Sequence, residues 1–260
     1  MFTVLAYFEN LGAAAADSDV NAVSDQEWTQ RNNHFIFTDE VRLLGTFVHA
    51  ASVTRARLNV PSLNAYARHQ LWPIHRSATI PSDPRLGDYR NFPLRLPQNE
   101  ELAVEGSNDA GAGEDFWSYF WLGTSNWNMQ LPSALQRFTA RATYAITSVD
   151  SAWSPLGNLT FAENLRGGMY AVLGMNVFDA NAMLARLVFP RGNTYGGRRM
   201  RPGCLVQNAV GDTPNPMFMG GLGLWGTFHS FEPPQVEILA NNAAAHTGEV
   251  RLDLAYLGER

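Results

Sequence analysis

Six histidines, one cysteine and a few acidic pairs are the side chains on which chemistry could rest in this chain of 260 residues. His34, His49, His69, His75, His229 and His246 form neither an HxH nor an HExxH spacing. Those are the arrangements that turn two imidazoles onto one metal. No metal ligand set and no cofactor are expected. Cys204 stands outside any Cys/His motif and reads as a small buried hydrophobe. The glycine-rich run Gly220, Gly221, Gly223, Gly226 lacks the lysine and following helix of a phosphate loop. It reads as a strand or bulge where another backbone comes close. Glu100-Glu101 and Glu114-Asp115 have no spacing that supports general acid–base work and read as solvated loop ends. No catalytic residue is expected, and the chain is not read as an enzyme.

What the sequence does carry is an internal repeat. From Leu44 to Pro73, 11 of 30 positions are identical to Leu173–Pro202 at a constant offset of 129. Average residue usage would give roughly 2. Gly113–Gly123 lines up with Gly248–Gly258 at an offset of 135, and Phe2–Tyr7 resembles Phe138–Tyr144. The expected domains are 1–127 and 134–260, with a linker at 128–133. The repeated segments alternate in the period of a strand. Met183, Ala185, Leu187 and Phe189 oppose Leu184, Arg186 and Val188; Phe138, Ala140, Ala142, Tyr144 and Ile146 oppose Thr139, Arg141, Thr143, Ala145 and Thr147. Gly/Pro turns such as Pro81–Pro84, Gly196-Gly197 and Thr213–Pro216 break the strands. The fold expected is all-β: two tandem jelly-roll sandwiches with a few short helices, at Ala13–Trp28 and Pro132–Arg137.

The aromatic residues bear on interfaces. At the 135 offset Trp117, Tyr119 and Trp121 match Leu252, Leu254 and Tyr256 and become a core face. Phe116 and Phe120 then point the other way, where the second copy has Arg251 and Ala255. Large apolar groups on a face that should be wet imply cover, by the chain's own loops or by a neighbouring subunit. Phe116 and Phe120 are therefore interface candidates. Trp127 and Trp153, beside the linker, are placed at the seam between the halves.

Composition narrows the function classes. The charged fraction is 17% against a usual value of about 25%. Net charge is −5, with no basic footprint, so direct nucleic-acid binding is not expected. All 19 basic residues are Arg, which suits packed interfaces better than Lys does. One cysteine allows no intrachain disulfide. Met1–Leu5 lacks the basic and apolar regions of a signal peptide, and no run of about 18 apolar residues is present.

Two fused jelly-roll-sized units with few charges and no catalytic motif resemble the double jelly-roll major capsid proteins of tailless icosahedral viruses, especially bacteriophages with an internal membrane. The resemblance rests on the duplication, since the family offers no signature motif. It implies a structural virion protein forming pseudo-hexagonal homotrimers, with six jelly rolls from three chains tiling a shell. The implied partners are further copies of the chain, penton and minor capsid proteins, and internal membrane lipid. The implied location is the virion, assembled in the host cytoplasm. A duplicated bicupin-like enzyme, a carbohydrate-binding protein, or a minor or spike virion protein of the same fold are the alternatives.

Overall fold

The computed structural model describes residues 1–49, 53–62, 87–108, 111–129, 131, 133–134, 136–208 and 215–259. The first ten strands are β1 (Phe2–Leu11), β2 (Ser18–Ala22), β3 (Thr29–Arg31), β4 (His34–Phe37), β5 (Val41–His49), β6 (Val53–Asn59), β7 (Gly87–Asp88), β8 (Leu94–Leu96), β9 (Glu100–Asn108) and β10 (Glu114–Gly123). The rest are β11 (Gln136–Thr147), β12 (Gly157–Asn158), β13 (Thr160–Phe161), β14 (Met169–Phe178), β15 (Ala182–Val188), β16 (Thr194–Tyr195), β17 (Arg198–Arg199), β18 (Gly203–Gln207), β19 (Gly226–His229), β20 (Gln235–Ala240) and β21 (Ala245–Gly258). Among the described residues only Pro61 and Ser62 are helical.

The chain divides into two compact units. One holds Leu5–Thr79 and Pro84–Ser125, the other Met1–Val4 and Asn126–Arg260. The first four residues thus go with the C-terminal unit, where the backbone N–H of Val4 donates to Arg201 O at 3.1 Å. In that unit β11, β21, β14 and β19 lie side by side, β12, β20, β15 and β18 form a second set of four, and a short parallel pairing of β14 with β18 at Val177 and Val206 joins the two sets. Each set draws strands from both ends and the middle of the segment, which is the interleaving of a jelly roll. The N-terminal unit repeats it: β1, β10 and β5 adjoin, with β7 and β8 on β5, while β9 carries β2, β4 and β6. The protein is all-β, built of two jelly-roll sandwiches.

The two units agree in detail. Strands β6 and β15 have the same bounds shifted by 129. Opposite β10, strand β5 skips Leu44; opposite β21, strand β14 skips Leu173. Opposite β9, strand β6 skips Thr54; opposite β20, strand β15 skips Met183. Both pairs of bulges are 129 apart. A bulge adds an unpaired residue and bends the strand, so its position is a feature of the design.

Those bulges also set the register of the last strands. Arg57 faces Glu105 and Arg186 faces Glu237, while Trp121 faces Gly45 and Asp253 faces Gly174. The late strands therefore correspond at an offset of 132, not the 135 of the sequence alignment. The slip of three is odd, and an odd slip turns every side chain to the opposite face. The inward face of β10 is Phe116 and Phe120, not Trp117, Tyr119 and Trp121. Phe120 meets Tyr7 edge-on at 5.5 Å, and Tyr7 meets Phe35 at 5.3 Å.

Elsewhere the periodicity holds. In β11, Ala140, Ala142, Tyr144 and Ile146 are buried, and Thr139, Arg141, Thr143, Ala145 and Thr147 are exposed. Strand β15 is buried on both faces along its whole length. The helix expected at Ala13–Trp28 is absent. Ala14 and Asp17 take left-handed backbone angles, φ 53° and 45°, and the segment then enters β2, which buries Val20. At Pro132–Arg137 the described residues are also not helical: Gln136 and Arg137 open β11. Pro132 and Leu135 lie outside the described residues.

Candidate functional site

Four residues were expected at interfaces, and the structure places them apart. Phe116 and Phe120 are fully buried inside the N-terminal unit. The ring of Phe116 lies where a Cβ on Gly106 would come within 3.1 Å. Neither ring offers surface to a partner, so both are corrected from interface to interior, the cause being the register slip described above. The aromatic groups that do stand on the outward face of β10 are Trp117, Tyr119 and Trp121, with Phe47 opposite Tyr119 on β5. These four are at most 1% exposed, so the chain itself covers them. Burial pushes the Tyr119 hydroxyl well above its usual pKa.

Trp127 and Trp153 belong to the C-terminal unit. Backbone atoms of Trp127–Met129 close on Gly223, whose φ of +67° and lack of a Cβ permit the approach. Gly220, Gly221 and Gly223 thus lie in a loop that meets another backbone, and Gly226 opens strand β19 beside β14. Trp153 packs under Arg186, whose guanidinium carbon sits 3.6 Å from the ring centroid. That contact is the edge of a buried ion cluster. Arg186 Nε donates to Glu237 at 2.6 Å and Arg201 Nη1 donates to the same carboxylate at 3.0 Å. The three side chains are 1%, 7% and 8% exposed. Arg forks and a stacked ring suit such a site because guanidinium is weakly hydrated.

A second cluster brings together residues that no sequence motif linked. His246 Nε2 lies 2.9 Å from Ser148 Oγ, and its Nδ1 lies 3.2 Å from both oxygens of Asp179. This is the order of a nucleophile, a base and an orienting carboxylate. The hydrogen bonds argue for a structural role. Ser148 Oγ donates to Asn242 O at 2.7 Å and accepts from Ala244 N at 3.0 Å. The Asp179 carboxylate facing Nδ1 favours the proton there and leaves Nε2 an acceptor, so the Ser148 hydroxyl proton is shared between His246 and the carbonyls of Asn242 and Ala244, which tie it to the β20–β21 connection. Asp179 also accepts from Tyr144 Oη at 2.8 Å, Asn181 N at 2.9 Å and Ala182 N at 3.2 Å. Burial, with the Asp179 carboxylate beside it, raises the Tyr144 hydroxyl pKa far above normal. Ser148, Asp179 and His246 are 2%, 7% and 4% exposed, too enclosed to meet a substrate carbonyl. The cluster pins the connections β11–β12, β14–β15 and β20–β21 to one another. One sequence signal pointed to it: His246 is in phase with Gly248, Val250 and Leu252, on the buried side of β21.

The remaining candidates are dispersed. His34 Nδ1 pairs with Glu101 at 2.7 Å, and this hydrogen bond, followed by that of Arg31, lowers the Glu101 pKa. His49 sits on β5 opposite Trp117. His69 and His75 lie outside the described residues. Cys204 is buried, which raises its thiol pKa above the usual range. Among the described residues no three His, Cys, Asp or Glu side chains gather as a metal site.

No family model and no curated protein matches the chain. Two solved structures are similar to it over nearly their whole lengths. The major capsid protein P2 from bacteriophage PM2 is 8% identical, with 100% of this chain and 99% of that one covered and a TM-score of 0.26. The STIV MCP is 11% identical, with 96% and 97% covered and the same TM-score of 0.26. Scores this low do not equate folds, so the jelly-roll assignment rests on strand order and register.

Proposed function

We propose that this chain is a structural virion protein: a major capsid protein that associates as a homotrimer, so that six jelly rolls make one pseudo-hexagonal capsomer of an icosahedral shell. The observation that carries the reading is the repetition of one sandwich within one chain, down to two coincident bulges and one cross-strand Arg–Glu pair. What the copies keep is shape. Their polar clusters differ: His246 of the buried histidine cluster has Glu114 as its counterpart in the first copy. A tile needs repeated shape and broad lateral contact, and it needs closed symmetry about its axis. A shortage of charge and an all-Arg basic set fit that use. The partners on this reading are further copies of the chain, penton and minor capsid proteins, and lipid under the shell; the location is the virion.

Light scattering on the purified protein, joined to electron microscopy, tests the proposal. The expected result is three times the chain's mass and particles with a hexagonal outline. A monomer that stays monomeric as concentration rises would overturn it.

A further inference from the structure

The turn His229–Glu232 is closed by Glu232 N donating to His229 O at 2.8 Å. Its counterpart 132 residues earlier is Pro97–Glu100, closed by Glu100 N donating to Pro97 O at 3.3 Å. The corner of the earlier turn is Asn99, at φ 62°, a left-handed angle that Asn tolerates. The corner of the later turn is Phe231, 76% exposed. A turn corner gains nothing from an exposed phenyl ring, so the fold does not account for it.

The surroundings of the two turns diverge together. In the first copy Arg95 and Glu40 pair at 2.6 Å; in the second their places hold Thr227 and Met169, shorter or uncharged. In the first copy Ser62 N donates to Glu100 at 3.3 Å; in the second their places hold Arg191 and Glu232, paired at 2.8 Å. A pocket of about 520 Å³ opens there in the second copy, lined by Met169, Arg191, Phe228, His229, Phe231 and Glu232 among others.

We infer that this pocket is a binding site for a neutral saccharide. The ring of Phe231 leans on that of His229, with centroids 3.8 Å apart and planes at 34°, and its remaining exposed face is an apolar surface of the kind the C–H face of a pyranose stacks on. His229 Nδ1 faces Ser230 Oγ at 3.3 Å and Phe231 N at 3.5 Å, and as their acceptor it leaves the other ring nitrogen a donor. Arg191 brings a planar fork of donors and Glu232 a paired acceptor, a combination that addresses neighbouring hydroxyls. The two charges cancel, so the site selects neither an anion nor a cation. Ligand pockets span about 300–1,000 Å³, and this one falls inside that range. The site is complete within one unit and stands whether or not the chain assembles.

Saturation-transfer NMR on the full chain tests the inference, with methyl β-D-glucopyranoside, methyl β-D-galactopyranoside and N-acetylglucosamine as probes at about 10 mM, above the millimolar Kd of a shallow site. Transfer to the ring protons of at least one probe is expected. Phe231→Ala and Arg191→Ala should each weaken it at least tenfold, with the thermal melt unchanged because both side chains are exposed. The inference is overturned by absence of transfer from the parent protein, or by transfer that survives Phe231→Ala. It is equally overturned if Phe231→Ala leaves sugar binding intact and instead alters the oligomer, which would make the ring a subunit contact.

Discussion

The outward faces of the two copies are mirror opposites in chemistry. On β10 of the first copy that face is Trp117, Tyr119 and Trp121; on β21 of the second it is Glu249, Arg251 and Asp253. The first set is buried by the chain, whereas Arg251 pairs with Glu249 at 2.7 Å and Asp253 with an exposed Arg137. On the other sheet the relation reverses. Arg57 and Glu105 of the first copy are paired and 20% and 12% exposed, while the equivalent Arg186 and Glu237 are 1% and 8% exposed and joined by Arg201. The interiors answer to one shape, and the outer faces answer to whatever covers them. The same Arg–Glu pair is a half-wet contact in one copy and a desolvated charge cluster in the other, so its energetic role is set by burial and not by identity.

Removing the acid from each pair gives the sharpest test of that contrast. Glu237→Ala leaves two buried guanidinium groups short of their shared carboxylate and should cost about 3–5 kcal/mol. Glu105→Ala should cost about 1 kcal/mol or less. Denaturant unfolding of both variants measures the difference, and equal losses would break the comparison.

A smaller effect is expected in the interiors. Gly248 faces Tyr144, whose ring a new Cβ would approach to 2.3 Å; Gly106 faces Phe116 at 3.1 Å. The first copy thus has Phe116 where the second has Gly248, and the Tyr144 ring takes the vacated volume. Gly248→Ala should destabilise by about 1–3 kcal/mol through overpacking. Gly106→Ala should cost less, since the Leu11 methyl and the Phe116 ring it meets need move only a few tenths of an ångström. Melting temperatures of the two variants rank them.

The smallest expected effect concerns pH. His34 and Arg31 lower the pKa of Glu101 in the first copy, and the equivalent position in the second is Pro233. A lowered carboxyl pKa stabilises the fold above the ordinary carboxylate range, and that stability fades as pH falls through the folded value. Arg31 is 65% exposed and adds little, so the contribution comes from the hydrogen bond to His34 and is about 1 kcal/mol. Glu101→Gln should flatten the acid limb of the stability curve of the N-terminal unit alone. An unchanged limb would show that the pair contributes nothing.

Much of the architecture was legible in the sequence, and for a physical reason. Strand periodicity and the 129 offset depend on local pattern, so β6 and β15 could be matched residue for residue. The facing of β10 was not legible, because Gly-Glu at the start and Leu-Gly at the end align plausibly three residues out of register. Only the pairing with β5 reveals the slip. The Ser148–Asp179–His246 cluster was hidden for a related reason: it joins three connections spread over 98 positions, and no spacing rule spans loops. The short helix expected near Ala13 followed alanine propensity, which the pairing of β2 with β1 and β9 overrides.

The hydrogen bond from Val4 to Arg201 has a kinetic consequence. Its partners are 197 positions apart, with the whole N-terminal sandwich strung between them. In the order of the chain, that sandwich is an insertion into its neighbour, entered after Val4 and left before Asn126. Closing such a loop costs entropy that grows only slowly with length, yet contacts this distant slow folding. The inserted sandwich, once formed, shortens the search by holding its two ends in place. The folding order this connectivity predicts is N-terminal unit first, with the C-terminal unit completed last by a strand end supplied from far upstream. A protease cut between Ser125 and Asn126 would put Met1–Val4 and the rest of their sandwich on different fragments, and that borrowed edge should keep the two fragments together.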